Sequence, residues 1–190
     1  MVKVIGLTGV FGSGKETVKD MLTHKLNAYY VTLSSLIRDE TLKKRGIKVG
    51  RGELQDLGNE LRKQYGNDVL VKVVWDFLPK NKEFIIVDGI RNPGEAEFFK
   101  KKVGKDFVLV AVDAPQEIRF ERTAKRGTHK DPKSWEEFLK MEERDLGANE
   151  PTYGQQVKKC MEMADVTIIN DGDKAVLDGK ISELVKSLKS

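Results

Sequence analysis

The chain has 190 residues, of which 39 % are hydrophobic and 34 % charged, and 34 Lys+Arg against 30 Asp+Glu leave a net charge of +4. That is enough apolar material for one buried core and too little basic excess for a nucleic-acid arm. No run approaches the roughly 18 consecutive apolar residues of a membrane helix, and the lone Cys160 excludes a disulfide framework or a cysteine zinc site. The first residues show no signal-peptide layout. The expectation is therefore a cytoplasmic protein with neither a nucleic acid nor a membrane as partner. Only 9 of the basic residues are Arg. Arginine is the side chain for forked contacts with phosphate, so the positions of these few carry more information than the net charge.

In chain order, Lys3 to Thr8 reads as a strand, and Gly9 to Gly14 is a glycine cluster. Val18, Met21, Leu22 and Leu26 then follow helical spacing. A short strand at Ala28 to Thr32 precedes helices at Ser34 to Arg45, Glu53 to Tyr65 and Asn67 to Leu78. Glu83 to Val87 and Asp106 to Val112 are apolar runs ending in Asp88 and Asp113, each followed by a proline-opened helix. Helices at Trp135 to Leu146 and Gly154 to Ala164 lead to a last strand, Val166 to Asn170, and a terminal amphipathic helix. Short continuous apolar strands alternating with helices predict a five-stranded parallel sheet covered on both faces, a three-layer α/β/α fold. Ligands of such sheets bind beyond the C-terminal strand ends.

The cluster from Gly9 through Gly12, Ser13, Gly14 and Lys15 follows a strand and opens a helix. It matches the glycine-rich phosphate loop of P-loop NTPases. Small residues let successive backbone N–H groups converge on phosphate oxygens, and Lys15 supplies a point charge. Glu16 stands where many such loops carry a Mg²⁺-ligating hydroxyl, and Thr17 comes one residue later. Asp88, at the end of an apolar run, is the candidate Mg²⁺ carboxylate.

With Gly14-Lys15-Glu16-Thr17 on the page, the chain resembles the nucleoside monophosphate kinase family, whose adenylate kinases read Gly-Lys-Gly-Thr there. Val31 to Arg38 and Asp88-Gly89-Ile90-Arg91 fall in the family's order as acceptor segments. The run at 119–146 is similar to a branch of archaeal and candidate-phylum bacterial kinases that resembles both nucleotide kinases and dephospho-coenzyme A kinase. The resemblance implies one P-loop kinase domain over 1–190, with acceptor-binding helices at 34–78 and a lid at 119–150. It implies ATP and Mg²⁺ as cofactors and a small phosphate acceptor, a nucleoside or deoxynucleoside monophosphate. Arg38 and Arg91 would hold the acceptor. Arg119, Arg122 and Arg126, spaced to share one helix face, would close over the phosphates. Lys15, Arg91, Arg122 and Arg126 would be the catalytic set, and Gly9, Gly12, Ser13, Gly14, Lys15, Glu16, Thr17, Arg119 and Asn170 would contact the donor. Arg144 ranks lower on spacing. Alternatives are a dephospho-coenzyme A or other small-molecule kinase, and a regulatory P-loop NTPase. A hydroxyl acceptor would need a base, for which Asp88 or Glu16 are the near candidates.

Overall fold

The computed structural model describes residues 2–35, 37, 51–79, 81–128 and 131–190. β1 (Lys3–Gly9) leads through the glycine loop into α1 (Lys15–Leu26) and β2 (Tyr29–Thr32). Then come α2 (Arg51–Tyr65), α3 (Val69–Phe77), β3 (Phe84–Asp88), α4 (Pro93–Val103) and β4 (Phe107–Asp113). α5 (Gln116–Arg126), α6 (Trp135–Leu146), α7 (Val157–Glu162), β5 (Val166–Ile169) and α8 (Lys174–Lys189) complete the chain. The five strands form one sheet in the order β2-β3-β1-β4-β5, and every pairing is parallel. β1 is central, and the chain crosses to opposite sides of it before and after β3. The loop after β1 therefore sits at a topological switch point.

Strand alternation divides the core into two layers. Val4, Ile85, Val87 and Leu109 face α3, α4 and α7, where Phe99 and Cys160 are fully buried. Ile5, Leu7, Ile86, Val110 and Val112 face α1 and α8, packing on Val18, Leu22, Ile181 and Leu184. Both faces of the sheet are covered, which is why its strands read as continuous apolar runs rather than as alternating ones. Burial and the nearby Glu95 carboxylate push the Cys160 thiol well above its ordinary range. No helix among the described residues is long and apolar enough to cross a membrane.

Three helices differ from the expectation, the first being α2, which begins at Arg51 rather than Glu53. The one expected over Asn67 to Leu78 starts at Val69, after a turn in which Gly66 has φ of 100° and Val69 N donates to its carbonyl. The one expected from Gly154 starts only at Val157. Gly154 N is spent on the Pro151 carbonyl and Gln156 N donates to Arg91 O at 2.7 Å, so this stretch is tied to the loop after β3 instead of coiling. α4 is set by a capping box. Asn92 Oδ1 accepts from Gly94 N at 3.0 Å, and Glu95 Oε2 accepts from Asn92 N at 3.1 Å.

Candidate active site

The glycine loop closes against its own backbone and is braced from behind. Gly12 and Gly14 hold φ of 81° and 84°, a left-handed region that side chains avoid. A Cβ on Gly12 would also lie 2.8 Å from the Arg119 carbonyl. Three side chains grip carbonyls of the loop. Asn170 Nδ2 donates to Ser13 O at 2.8 Å, Arg122 Nη1 to the same oxygen at 3.4 Å, and Arg119 Nη1 to Phe11 O at 3.2 Å. Ser13 Oγ is buried with no partner among the described residues. A buried orphan hydroxyl within a glycine cradle fits a ligand that brings oxygens to the loop.

Lys15 Nζ is ion-paired to Asp88 Oδ1, joining the ends of β1 and β3. The segment after Asp88 is pinned to β1, with Gly89 N and Ile90 N both donating to Leu7 O at 3.1 and 3.0 Å. Lys15, Asp88 and Gly89 line a cleft of about 640 Å³ with Thr17, Arg91, Arg122 and Arg126. Glu16 also borders it, but its carboxylate is exposed and accepts from Lys19 Nζ at 2.6 Å. Burial works against the Lys19 ammonium. The Glu16 and Asp20 carboxylates outweigh it and hold the pKa above the ordinary lysine range. Lys19 lies 4.6 Å from the Tyr30 ring centre, and burial raises the Tyr30 pKa. No cluster of three His, Cys, Asp or Glu suited to a metal occurs among the described residues. Mg²⁺ needs none, since it is commonly held by one or two carboxylates together with substrate phosphates and water.

The three arginines of α5 divide. Arg122 and Arg126 line the cleft. Arg119 does not, contrary to the expectation that it covers the phosphates. It is 6 % exposed, donates through Nε to Ala114 O at 2.8 Å, and pairs with Glu142 of α6. Its reach from α5 to the glycine loop makes it a brace. Asn170 likewise meets the loop from behind, 6 % exposed, with Arg122 Nη2 at 3.5 Å from its Oδ1. Arg144 pairs with Asp56 and Glu150 and borders neither this cleft nor its neighbour. Arg38 lies outside the described residues.

Arg126 is paired to Asp131, whose carboxylate also accepts from Thr128 N and Oγ1 at 2.9 and 2.7 Å. The Arg126 hydrogen bond, aided by those from Thr128, holds the Asp131 pKa well below the usual carboxylate range. A folded-state pKa below the unfolded one stabilises at neutral pH and is lost as pH falls through the ordinary carboxylate value towards the folded one. An acid titration followed by thermal melting should show Asp131→Asn least stable relative to the parent at neutral pH. The gap should narrow as pH falls through the ordinary carboxylate range, and close only where the carboxylate is protonated in the folded chain as well.

Next to the cleft is a cavity of about 260 Å³. Leu33, Ile37, Leu54 and Leu70 form its apolar side, and Gln55, Arg62, Arg91 and Gln155 its polar side. Arg91 stands on the wall shared by the two spaces. Its Nη1 donates to Gln155 Oε1 at 3.0 Å and lies 3.5 Å from Asp145 Oδ1. Asp145, 2 % exposed, borders the cleft. Neither Asp145 nor the two glutamines had a local sequence signal. The only hint was the place of Asp145 beside Arg144 in an acidic helix end.

Residues 5–148 match the family model described as an AAA domain. Over 191 residues the chain is 34 % identical to a UPF0200 protein of Thermococcus onnurineus, covering 97 % of each. The chain belongs to the UPF0200 family. Among solved structures it is similar to a shikimate kinase from Acinetobacter baumannii in complex with shikimate (TM-score 0.57, 21 % identity, 98 % of this chain and 94 % of that one). It is also similar to a gluconokinase from Sinorhizobium meliloti (TM-score 0.58, 15 % identity, 98 % and 95 %). This UPF0200-family chain and the two kinases share the P-loop three-layer fold; at such identity the likeness is one of fold.

Proposed function

We propose that this chain transfers a phosphoryl group from Mg²⁺·ATP to a small acceptor that itself carries a phosphate, with a nucleoside monophosphate as the best fit. The observation that supports this most is the arrangement of two adjoining spaces around Arg91. One is walled by the glycine loop, Lys15 and Asp88, and the other by a polar and an apolar side. Lys15 and the loop amides would hold the donor phosphates. Asp88 would hold Mg²⁺ directly or through water, and the metal would neutralise charge on the transferred group. Arg122 and Arg126 would face the transferred group from the lid region at 119–150. Arg91 would hold the acceptor phosphate by the Nε–Nη2 edge of its guanidinium, which has no partner among the described residues. Catalysis in this reading is positioning plus charge stabilisation. A phosphate oxygen is already anionic and needs no base. The whole of 1–190 would act as one kinase domain, with 34–78 as its acceptor region.

The similarity to nucleoside monophosphate kinases in Gly14-Lys15-Glu16-Thr17 and Asp88-Gly89-Ile90-Arg91 supports the same sides for donor and acceptor. Arg91→Ala should raise the Michaelis constant for the acceptor by about 10- to 100-fold, the loss of a charge-assisted pair, and leave that for ATP unchanged. Steady-state kinetics with each substrate varied in turn checks this. A rise for ATP alone would reverse the assignment of sides.

A further inference from the structure

The polar side of the smaller cavity holds two amides whose orientation is dictated by their neighbours. Gln55 Nε2 donates to Asp145 Oδ1 at 2.6 Å and to Gln155 Oε1 at 3.2 Å. Gln155 Oε1 also accepts from Arg91 Nη1 at 3.0 Å. A carboxylate only accepts and a guanidinium only donates. Neither amide can be turned over without setting oxygen against oxygen or N–H against N–H. Gln55 Oε1 and Gln155 Nε2 are then left over, and neither has a partner among the described residues. Gln55 and Gln155 are 8 % and 5 % exposed, and both line the cavity.

One free acceptor and one free donor on two residues lining the same cavity suit a group that both donates and accepts. Gln155 is bonded to the same guanidinium that would grip the acceptor phosphate, so that group lies close to the phosphate. In a nucleoside monophosphate the sugar hydroxyls stand there, and the base lies further off. We propose that Gln55 and Gln155 read a sugar hydroxyl next to the acceptor phosphate and so select a ribonucleotide over its deoxy counterpart. This rests on the phosphate-bearing-acceptor reading of the site. A deoxy acceptor leaves both atoms without that partner, and a site built around a hydroxyl rejects the analogue that lacks it. Asp145 acts here as a positioning residue, because it fixes which end of Gln55 faces the cavity.

The test is calorimetric binding to the full chain without ATP, so no turnover is required. The probes are AMP and CMP, their 2′-deoxy and 3′-deoxy forms, and ribose 5-phosphate. The ribo forms should bind at least about 10-fold more tightly than one of the deoxy series. The ratio should fall towards one in Gln155→Glu, which keeps the oxygen facing Arg91 and replaces the donor. It should fall also in Gln55→Met, which keeps the volume. A ratio cancels any general weakening of the site, and melting curves confirm that each variant is folded. Equal binding of ribo and both deoxy forms to the parent overturns the proposal while leaving the acceptor reading intact. So does a preference that survives both variants. If none of the probes binds, ribose 5-phosphate included, the acceptor reading itself has failed and takes the proposal with it.

Discussion

Lys15→Met should lower phosphoryl transfer by about 10²- to 10³-fold, the cost of removing one preorganised group aimed at developing charge. The fold should survive. Lys15 is part-buried, and Asp88, its ion-pair partner among the described residues, lines the cleft that the substrate phosphates and Mg²⁺ would fill. The loop that carries Lys15 is braced by Asn170, Arg122 and Arg119, none of which depends on the ammonium. The expected signature is thus a loss in turnover with the melting temperature nearly unchanged. Comparing turnover and melting on one preparation separates this from unfolding. A folded Lys15→Met chain with full activity would remove the phosphate-cradle assignment.

The largest stability effect should come from Glu95→Ala. Glu95 is 0 % exposed and Arg62 is 3 % exposed. The carboxylate accepts from Arg62 Nε and Nη2 at 2.9 and 2.7 Å, and from Arg91 N and Asn92 N at 2.8 and 3.1 Å. Truncating it leaves a buried guanidinium without its counter-charge and removes half of the α4 capping box. Breaking one side of a buried pair costs about 3–5 kcal/mol. At roughly 2–4 °C per kcal/mol for a chain of this size, the melting temperature should fall by roughly 6–20 °C. The double variant Arg62→Met with Glu95→Ala should recover part of that loss, since it no longer strands a charge. A single-variant loss below about 1 kcal/mol would mean that Arg62 finds water or another partner. The pair also matters to the site. It links α2, which carries Gln55, to the backbone of Arg91, so damage there should reach the acceptor cavity as well as the fold.

What could be read in the sequence was what local chemistry dictates. The glycine loop, Lys15 and Asp88 announce themselves because a phosphate cradle needs small residues, a charge and a helix start within a few positions. Burial on both sheet faces wrote the strands as apolar runs. The arginines of α5 show where spacing stops being informative. It places Arg119, Arg122 and Arg126 on one face, but the partners of the first two, Glu142, Ser13 and Asn170, are ones that only the folded chain brings near, while Asp131, the partner of Arg126, is five residues further on. Arg119 therefore reads as a lid residue and turns out to be a brace. Gln55, Asp145 and Gln155 lie on α2, at the end of α6 and ahead of α7. Their meeting depends on packing over 90 or more residues of separation, as in the Gln55–Asp145 bond. Single amides and a lone carboxylate carry no periodic or spacing signal of their own.

The claim on which the rest depends is that ATP is spent on an acceptor. It is tested by ADP release with Mg²⁺·ATP and a panel of ribo- and deoxynucleoside monophosphates plus dephospho-coenzyme A, against a control with no acceptor. ADP should appear well above the control with at least one nucleoside monophosphate, in step with the phosphorylated acceptor. The same rate in every well, control included, would contradict the kinase assignment and describe a nucleoside triphosphatase instead.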